Sequence, residues 1–207
     1  MKRKINIDEW NRKEQFLFFK DFEDPFFGLT VNIDCTQAYY TCKQMGYSFF
    51  LYYLHKALKV VNSITEMRYR IEGDDVWEYE VVHASPTIDR PNGTFGYAYF
   101  DYWEKFEDFQ REAKWEIEKV REETSLIPSK SRVNVLHFTT IPWVSFTSIS
   151  HAKSFSHPDS IPKISFGKYF KEDRKIILPV AFHANHALMD GKQAGEFFNK
   201  FKEVLNS

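Results

Sequence analysis

Residues 182–191, FHANHALMDG, gather two histidines, an asparagine and an Asp-Gly pair into ten positions. Histidine, with an ordinary pKa near 6.5, can take a proton from a hydroxyl and hand it on to a leaving group. If RKIILPVAFHANH is a strand, Leu178, Val180, Phe182, Ala184 and His186 share one face, and Ile177, Ala181, His183 and Asn185 share the other. His186 then ends an apolar row, where a base is shielded on one side and open to a substrate on the other. Four residues later Asp190-Gly191 opens a helix, the aspartate able to cap it or take a cation. Two readings stand at this point: a helix cap beside a satisfied core histidine, or a general base beside its supporting charge. No metal site is expected, because His183 and His186 point to opposite faces and no further ligand cluster lies near them.

The surrounding elements must hold that corner. DEWNRKEQFLFFKDF is an amphipathic entry, LTVNIDCT an alternating strand, and TQAYYTCKQM a short helix ended by Gly46. YSFFLYYLHKALKVVNS follows as a longer, mostly buried helix. EMRYRIEGDDVWEYEVVHASPTID has the form of a hairpin turning at Gly73-Asp74-Asp75, and GTFGYAYFDY of another strand. In EKFEDFQREAKWEIEKVREE, Phe106, Phe109, Ala113, Trp115, Ile117 and Val120 recur at near-helical spacing among charges. Four strands are then expected in VNVLHFTT, WVSFTSIS, PKISFGKYF and RKIILPVAFHANH, before a closing helix GKQAGEFFNKFKEVL. Pro179 inside the last strand points to an edge or a bulge. The pattern is that of one α/β (α+β) domain over residues 1–207, with a mixed sheet and a C-terminal helix.

Lys and Arg total 28 against 29 Asp and Glu, a balance that gives no support to a nucleic-acid or membrane-surface role. No stretch approaches the roughly 20 apolar residues of a membrane span, and the N-terminus lacks the apolar run of a signal peptide. Cys35 and Cys42 fit no metal or redox spacing and read as reduced thiols of a cytoplasmic protein. The 21 phenylalanines exceed what a core of this size needs, so some are expected at a pocket or a subunit contact.

HALMDG matches the HxxxDG pattern of CoA-dependent acyltransferases. WNRKEQF at 10–16, PWVSFTS at 142–148, GKYF at 167–170 and LPVAFHANHALMDG at 178–191 resemble, in order, four motifs of the trimeric, non-hexapeptide chloramphenicol acetyltransferases. The resemblance covers nearly the whole chain and implies that family's fold, a two-layer sandwich of mixed sheet and helices. It implies acetyl transfer from acetyl-CoA to an alcohol, with His186 as general base and Ser148 as hydroxyl donor to the oxyanion. Asp190 would form a buried, bidentate ion pair with Arg12 rather than orient the imidazole directly. Ser165 stands where the family usually has threonine, holding an ordered water against the intermediate. Lys168 and Tyr169 would flank the CoA adenine, and Phe19 and Phe95 would contact the acceptor. The family's active site lies between subunits of a homotrimer. The chain departs from the pattern at His183, Ala184, Asn185 and Met189, and its segment 121–132 is shorter than the family loop. Those departures leave two alternatives to chloramphenicol acetylation: a different small alcohol acceptor, or a catalytically silent binding homologue.

Overall fold

In the computed structural model, which describes residues 1–127, 132–152, 154 and 159–207, two sheets and five α-helices are assembled. Strand β1 (Lys2–Lys4), a 3-10 turn at Ile7–Glu9 and helix α1 (Lys13–Phe19) open the chain, followed by β2 (Phe26–Asp34), α2 (Thr36–Met45) and α3 (Phe49–Asn62). Then come β3 (Tyr69–Glu72), β4 (Asp75–Tyr79), β5 (His83–Asp89), β6 (Phe95–Tyr97) and α4 (Phe106–Glu122). The last part holds β7 (Val135–Ile141), β8 (Lys163–Gly167), β9 (Phe170–Glu172), β10 (Lys175–Asn185) and α5 (Gly191–Leu205).

The main sheet runs β2-β10-β8-β7-β5-β6, with β9 also on β10, and the small sheet runs β1-β4-β3. Strands β5, β7 and β8 are parallel to one another, whereas β10 is antiparallel to β8 and β2. The mixed sheet with flanking helices is the architecture expected from the pattern. One face carries Phe138, Phe166, Val180 and Phe182 and is covered by helices: Tyr53 of α3 packs on Phe166 at 4.4 Å between ring centroids, and Phe197 of α5 on Phe182 at 5.5 Å. The opposite face is polar. Ser85, His137, Lys163 and His183 fall in one register row across β5, β7, β8 and β10, and the next row holds Thr139, Ser165 and Ala181.

Helix boundaries follow local chemistry. Gly46 ends α2 at φ 67°, a left-handed conformation that costs glycine nothing. Ser48 caps α3 through its hydroxyl, and Asp190 opens α5 in a capping box with Gln193. Both cysteines are free and buried; burial pushes the Cys35 thiol up to about 12 and the Cys42 thiol to about 11. Among the described residues no helix is long and apolar enough to cross a membrane.

Three expectations are corrected. WVSFTSIS is not a strand: residues 144–150 leave the sheet as an irregular segment, because Lys168 N–H donates to Val144 O and Ser145 Oγ–H to Lys168 O, tying it to the end of β8 rather than into a ladder. Pro179 lies in the interior strand β10, not at an edge. On that side β9 pairs only with Lys175–Ile177 and β8 only with Val180–His183, so the proline falls in the gap between them. Trp115 is 62 % exposed on α4, under the Lys119 ammonium at 5.5 Å, and is no part of the core. Of the shortened segment 121–132, residues 128–131 lie outside the described residues.

Gly28 on β2 gives the His183 ring its room, since a Cβ there would stand 2.4 Å from His183 Cδ2 and 2.6 Å from Nε2. Gly28→Ala should therefore cost about 1–3 kcal/mol, seen as a fall in thermal midpoint of roughly 2–4 °C per kcal/mol. An unchanged midpoint would mean that the ring swings clear.

Candidate active site

The segment after β10 is held by side chains that the sequence places close by. Asn185 Oδ1 accepts from Ala187 N–H at 2.9 Å, an Asx turn that bends the chain out of the strand. Asn185 Nδ2 donates to Asp159 O at 3.1 Å, and His186 N–H to Pro25 O at 2.8 Å. Backbone carbonyls at such a corner have no strand or helix partner, and Arg12 supplies the donors. Its Nη2 donates to His186 O at 2.7 Å, its Nε to Ala187 O at 3.2 Å and its Nη1 to Asp190 Oδ2 at 2.8 Å. The expected Arg12–Asp190 pair is present, but it is neither bidentate nor fully desolvated. The guanidinium spends two of its three contacts on carbonyls, and the Asp190 side chain is 40 % exposed against 11 % for Arg12.

The WNRKEQF spacing now has a physical account. Trp10 sits edge-on to Tyr69 at 5.6 Å and Phe16 is buried, so α1 is anchored on either side of Arg12. One turn on, Phe19 closes the helix and stacks on the His186 imidazole, centroids 4.3 Å apart and planes within 7°, with Phe27 at 4.8 Å on another side. His186 Nδ1 is buried with no hydrogen-bond partner among the described residues. The Arg12 guanidinium, with the Lys192 N–H behind it, holds the Asp190 carboxyl below the usual carboxylate range.

A cleft of about 1190 Å³ opens elsewhere, at the C-terminal ends of the parallel strands. Thr87 and Ile88 of β5, Thr139 and Thr140 of β7, and Gly167, Lys168 and Tyr169 after β8 line it, with Phe95, Trp143, Phe49 and Leu178. Because β10 is antiparallel to β8, this is the end opposite His186. Thr139 is level with Ser165 and Ala181, five residues from His186 along β10. At about 3.4 Å per residue, the base is displaced from the level of Thr139 by roughly 17 Å along the strand direction.

The chloramphenicol acetyltransferase family model matches residues 2–202. The chain belongs to the chloramphenicol acetyltransferase family. The chloramphenicol acetyltransferase of Proteus mirabilis is 26 % identical over 203 residues, covering 98 % of this chain and 94 % of that protein. That of Staphylococcus aureus is 28 % identical over 205 residues, covering 97 % and 94 %. A solved chloramphenicol acetyltransferase superposes with a TM-score of 0.90 at 30 % identity, covering 99 % of this chain and all of that one. The fold extends to a truncated catalytic core of the 2-oxoacid dehydrogenase complex from Thermoplasma acidophilum, with a TM-score of 0.71 at 12 % identity.

Against the family's motif residues, the structure gathers His186, Arg12, Asp190 and Phe19 at one end of the sheet, and Lys168, Tyr169 and Phe95 around the cleft at the other. Phe19 faces the imidazole, apart from Phe95. Ser148 is exposed on the irregular segment after β7 and does not line the cleft. Ser165 is fully buried and off the cleft, its Oγ 3.2 Å from His151 Nε2. Thr139 was not singled out by the sequence, and Asn185 only as a departure from the family pattern. Counting by twos from the apolar Leu136 and Phe138 would have turned Thr139 to the polar face, and an asparagine just past a strand is a turn signal.

The unequal pair predicts unequal variants. Arg12→Lys loses the fork that serves two carbonyls and should cost about 2–3 kcal/mol in a denaturant midpoint. Asp190→Asn keeps a good N-cap and should cost about 1 kcal/mol or less. Since the folded Asp190 pKa is depressed, the pair's contribution is full above the unfolded value near 3.9 and fades as pH falls through the folded one. Asp190→Asn should therefore flatten the acid limb of the stability profile.

Proposed function

We propose that this protein transfers the acetyl group of acetyl-CoA to a hydroxyl of chloramphenicol, in sites formed between copies of the chain in a homotrimer. The observation that carries the reading is the family match over residues 2–202 together with an intact His186–Arg12–Asp190 corner. An alcohol is a poor nucleophile at neutral pH, so a base must take its proton as it attacks. His186 takes that proton while the alcohol oxygen bonds to the thioester carbonyl. Collapse of the tetrahedral intermediate breaks the carbon–sulfur bond, and the imidazolium returns the proton to the departing CoA thiolate.

The imidazole is suited to this by its surroundings. Arg12 fixes the backbone that bears it, and Phe19 and Phe27 close its faces, which leaves an edge for substrate. The oxyanion needs a donor within reach. Ser148 carries that role by motif; of the threonines on the cleft, Thr87, Thr94, Thr139 and Thr140, we assign a second donation to Thr139, which is level with Ser165. Lys168 and Tyr169, with Tyr39 and Phe49 against the tyrosine ring, offer a flat, basic surface for a CoA adenine; Phe95 serves the acceptor. Ser165, in the same register row as Thr139, keeps its part in holding a water against the intermediate.

The separation of roughly 17 Å along the sheet between the base and the cleft of one chain supports a site shared between copies. The exposed Leu17, Phe18, Phe22 and Leu29 beside the His186 corner supply apolar surface for that contact.

CoA-thiol release by purified protein, with and without chloramphenicol, tests the reaction. Release should depend on the drug and fall by roughly 10²–10⁴-fold in His186→Ala. Base-dependent release with another alcohol and none with the drug would move the acceptor; silence with every alcohol would leave a binding homologue. A second measurement tests the shared site. Mixed trimers of His186→Ala and Thr139→Val chains should regain about a quarter of the wild-type rate, since one site in four then pairs an intact histidine with an intact cleft. No gain over the two separate variants would sink the inter-subunit arrangement.

A further inference from the structure

Ser165 is the most deeply placed of the hydroxyls near the site, fully buried in the row Thr139–Ser165–Ala181. A serine hydroxyl has three staggered wells and no β-methyl to choose among them, so something outside the residue must fix its direction. His151 lies close enough to do so. Its Nε2 stands 3.2 Å from Ser165 Oγ, although residue 151 belongs to the irregular segment and not to the sheet. Its ring meets His183 edge-on, centroids 5.0 Å apart at 89°. The His183 ring rests in turn over Gly28, where a side chain would collide with it. Gly28, His183, His151 and Ser165 thus form one buttressed row of contacts reaching from β2 across β10 to β8.

We infer that His151 is a positioning residue for the acyl-transfer site, holding the Ser165 hydroxyl in a single rotamer and hydrogen-bond polarity. The inference rests on the reading above in one respect, that Ser165 serves the reaction. His151 touches no reacting atom in this scheme; it acts through the serine, so its removal falls on turnover rather than on substrate affinity.

The test uses steady-state acetylation of chloramphenicol by the full-length protein and its variants. His151→Phe, which keeps a ring but no acceptor or donor, should lower kcat roughly three- to tenfold, the worth of one positioned hydrogen bond, with KM little changed. His151→Gln, which restores a polar group at the Nε2 position, should recover most of the loss. Adding His151→Phe to Ser165→Ala should cost nothing more. In a Ser165→Thr chain the stiff threonine rotamer replaces the restraint, so His151→Phe should there be nearly silent. A full, undiminished loss from His151→Phe in the Ser165→Ala background overturns the proposal, because the histidine would then act by another route. A measurement free of turnover separates this from the activity itself: Ser165→Ala should shift the Nε2 resonance of His151 in nitrogen-15 spectra of the folded protein. An unmoved resonance overturns the contact even if the enzyme is active. A shifted resonance in a chain that never acetylates the drug supports the contact and puts the fault in the proposed reaction.

Discussion

The three contacts of Arg12 are the constraint on which the rest of this molecule turns. A chain that leaves a central strand and enters a helix within five residues must expose carbonyls that neither element can satisfy, and unpaired buried carbonyls are costly. One guanidinium, brought from 174 residues earlier in the chain, takes two of them and the capping carboxylate besides. Its reach fixes where α1 lies. The position of α1 fixes Phe19, and Phe19 fixes one face of the imidazole. Stability and the orientation of the His186 ring are therefore not separable properties at this corner.

The second constraint is strand polarity. Parallel β5, β7 and β8 gather their C-terminal ends around the cleft, and the antiparallel β10 carries its own C-terminal histidine the other way. Within one copy of the fold, His186 and the cleft therefore stand at opposite ends of the sheet. The polar face of the sheet, with its rows of serine, threonine, histidine and lysine, has a matching logic. It is too hydrophilic to serve as an interior against helices, and the buried Ser165 on it is met by a polar side chain, His151, instead.

Much of this was legible in the sequence where a period met a strong cap. The helices at 36–45, 49–62, 106–122 and 191–205 were read from apolar runs of helical spacing, with Gly46 closing the first and Asp190 opening the last. Strand content was harder to read. Alternation in WVSFTSIS imitates a strand, yet the backbone there is claimed by Lys168. Pro179 argued for an edge or a bulge, and the gap between β8 and β9, a long-range fact, accommodates it inside the sheet. At the site, motif spacing located His186, Arg12 and Asp190. It could not give the sharing of Arg12 between carboxylate and carbonyls, since carbonyl positions are set by a turn that Asn185 makes. It named Ser148 and not Thr139, whose place on the cleft depends on which face of a neighbouring strand borders it, and a motif read along the chain carries no information about that.

The two cysteines bear on the proposed chemistry in another way. A thioester donor is open to attack by any thiolate, and an enzyme with an accessible, ionised sulfur near such a donor would acylate itself. Cys35 and Cys42 are sealed in the core, with their thiols raised to about 12 and 11, so at neutral pH neither offers an appreciable thiolate. The acetyl group thus has no sulfur of the protein's own on which to be lost, and a hydroxyl offered by the acceptor meets no internal competitor.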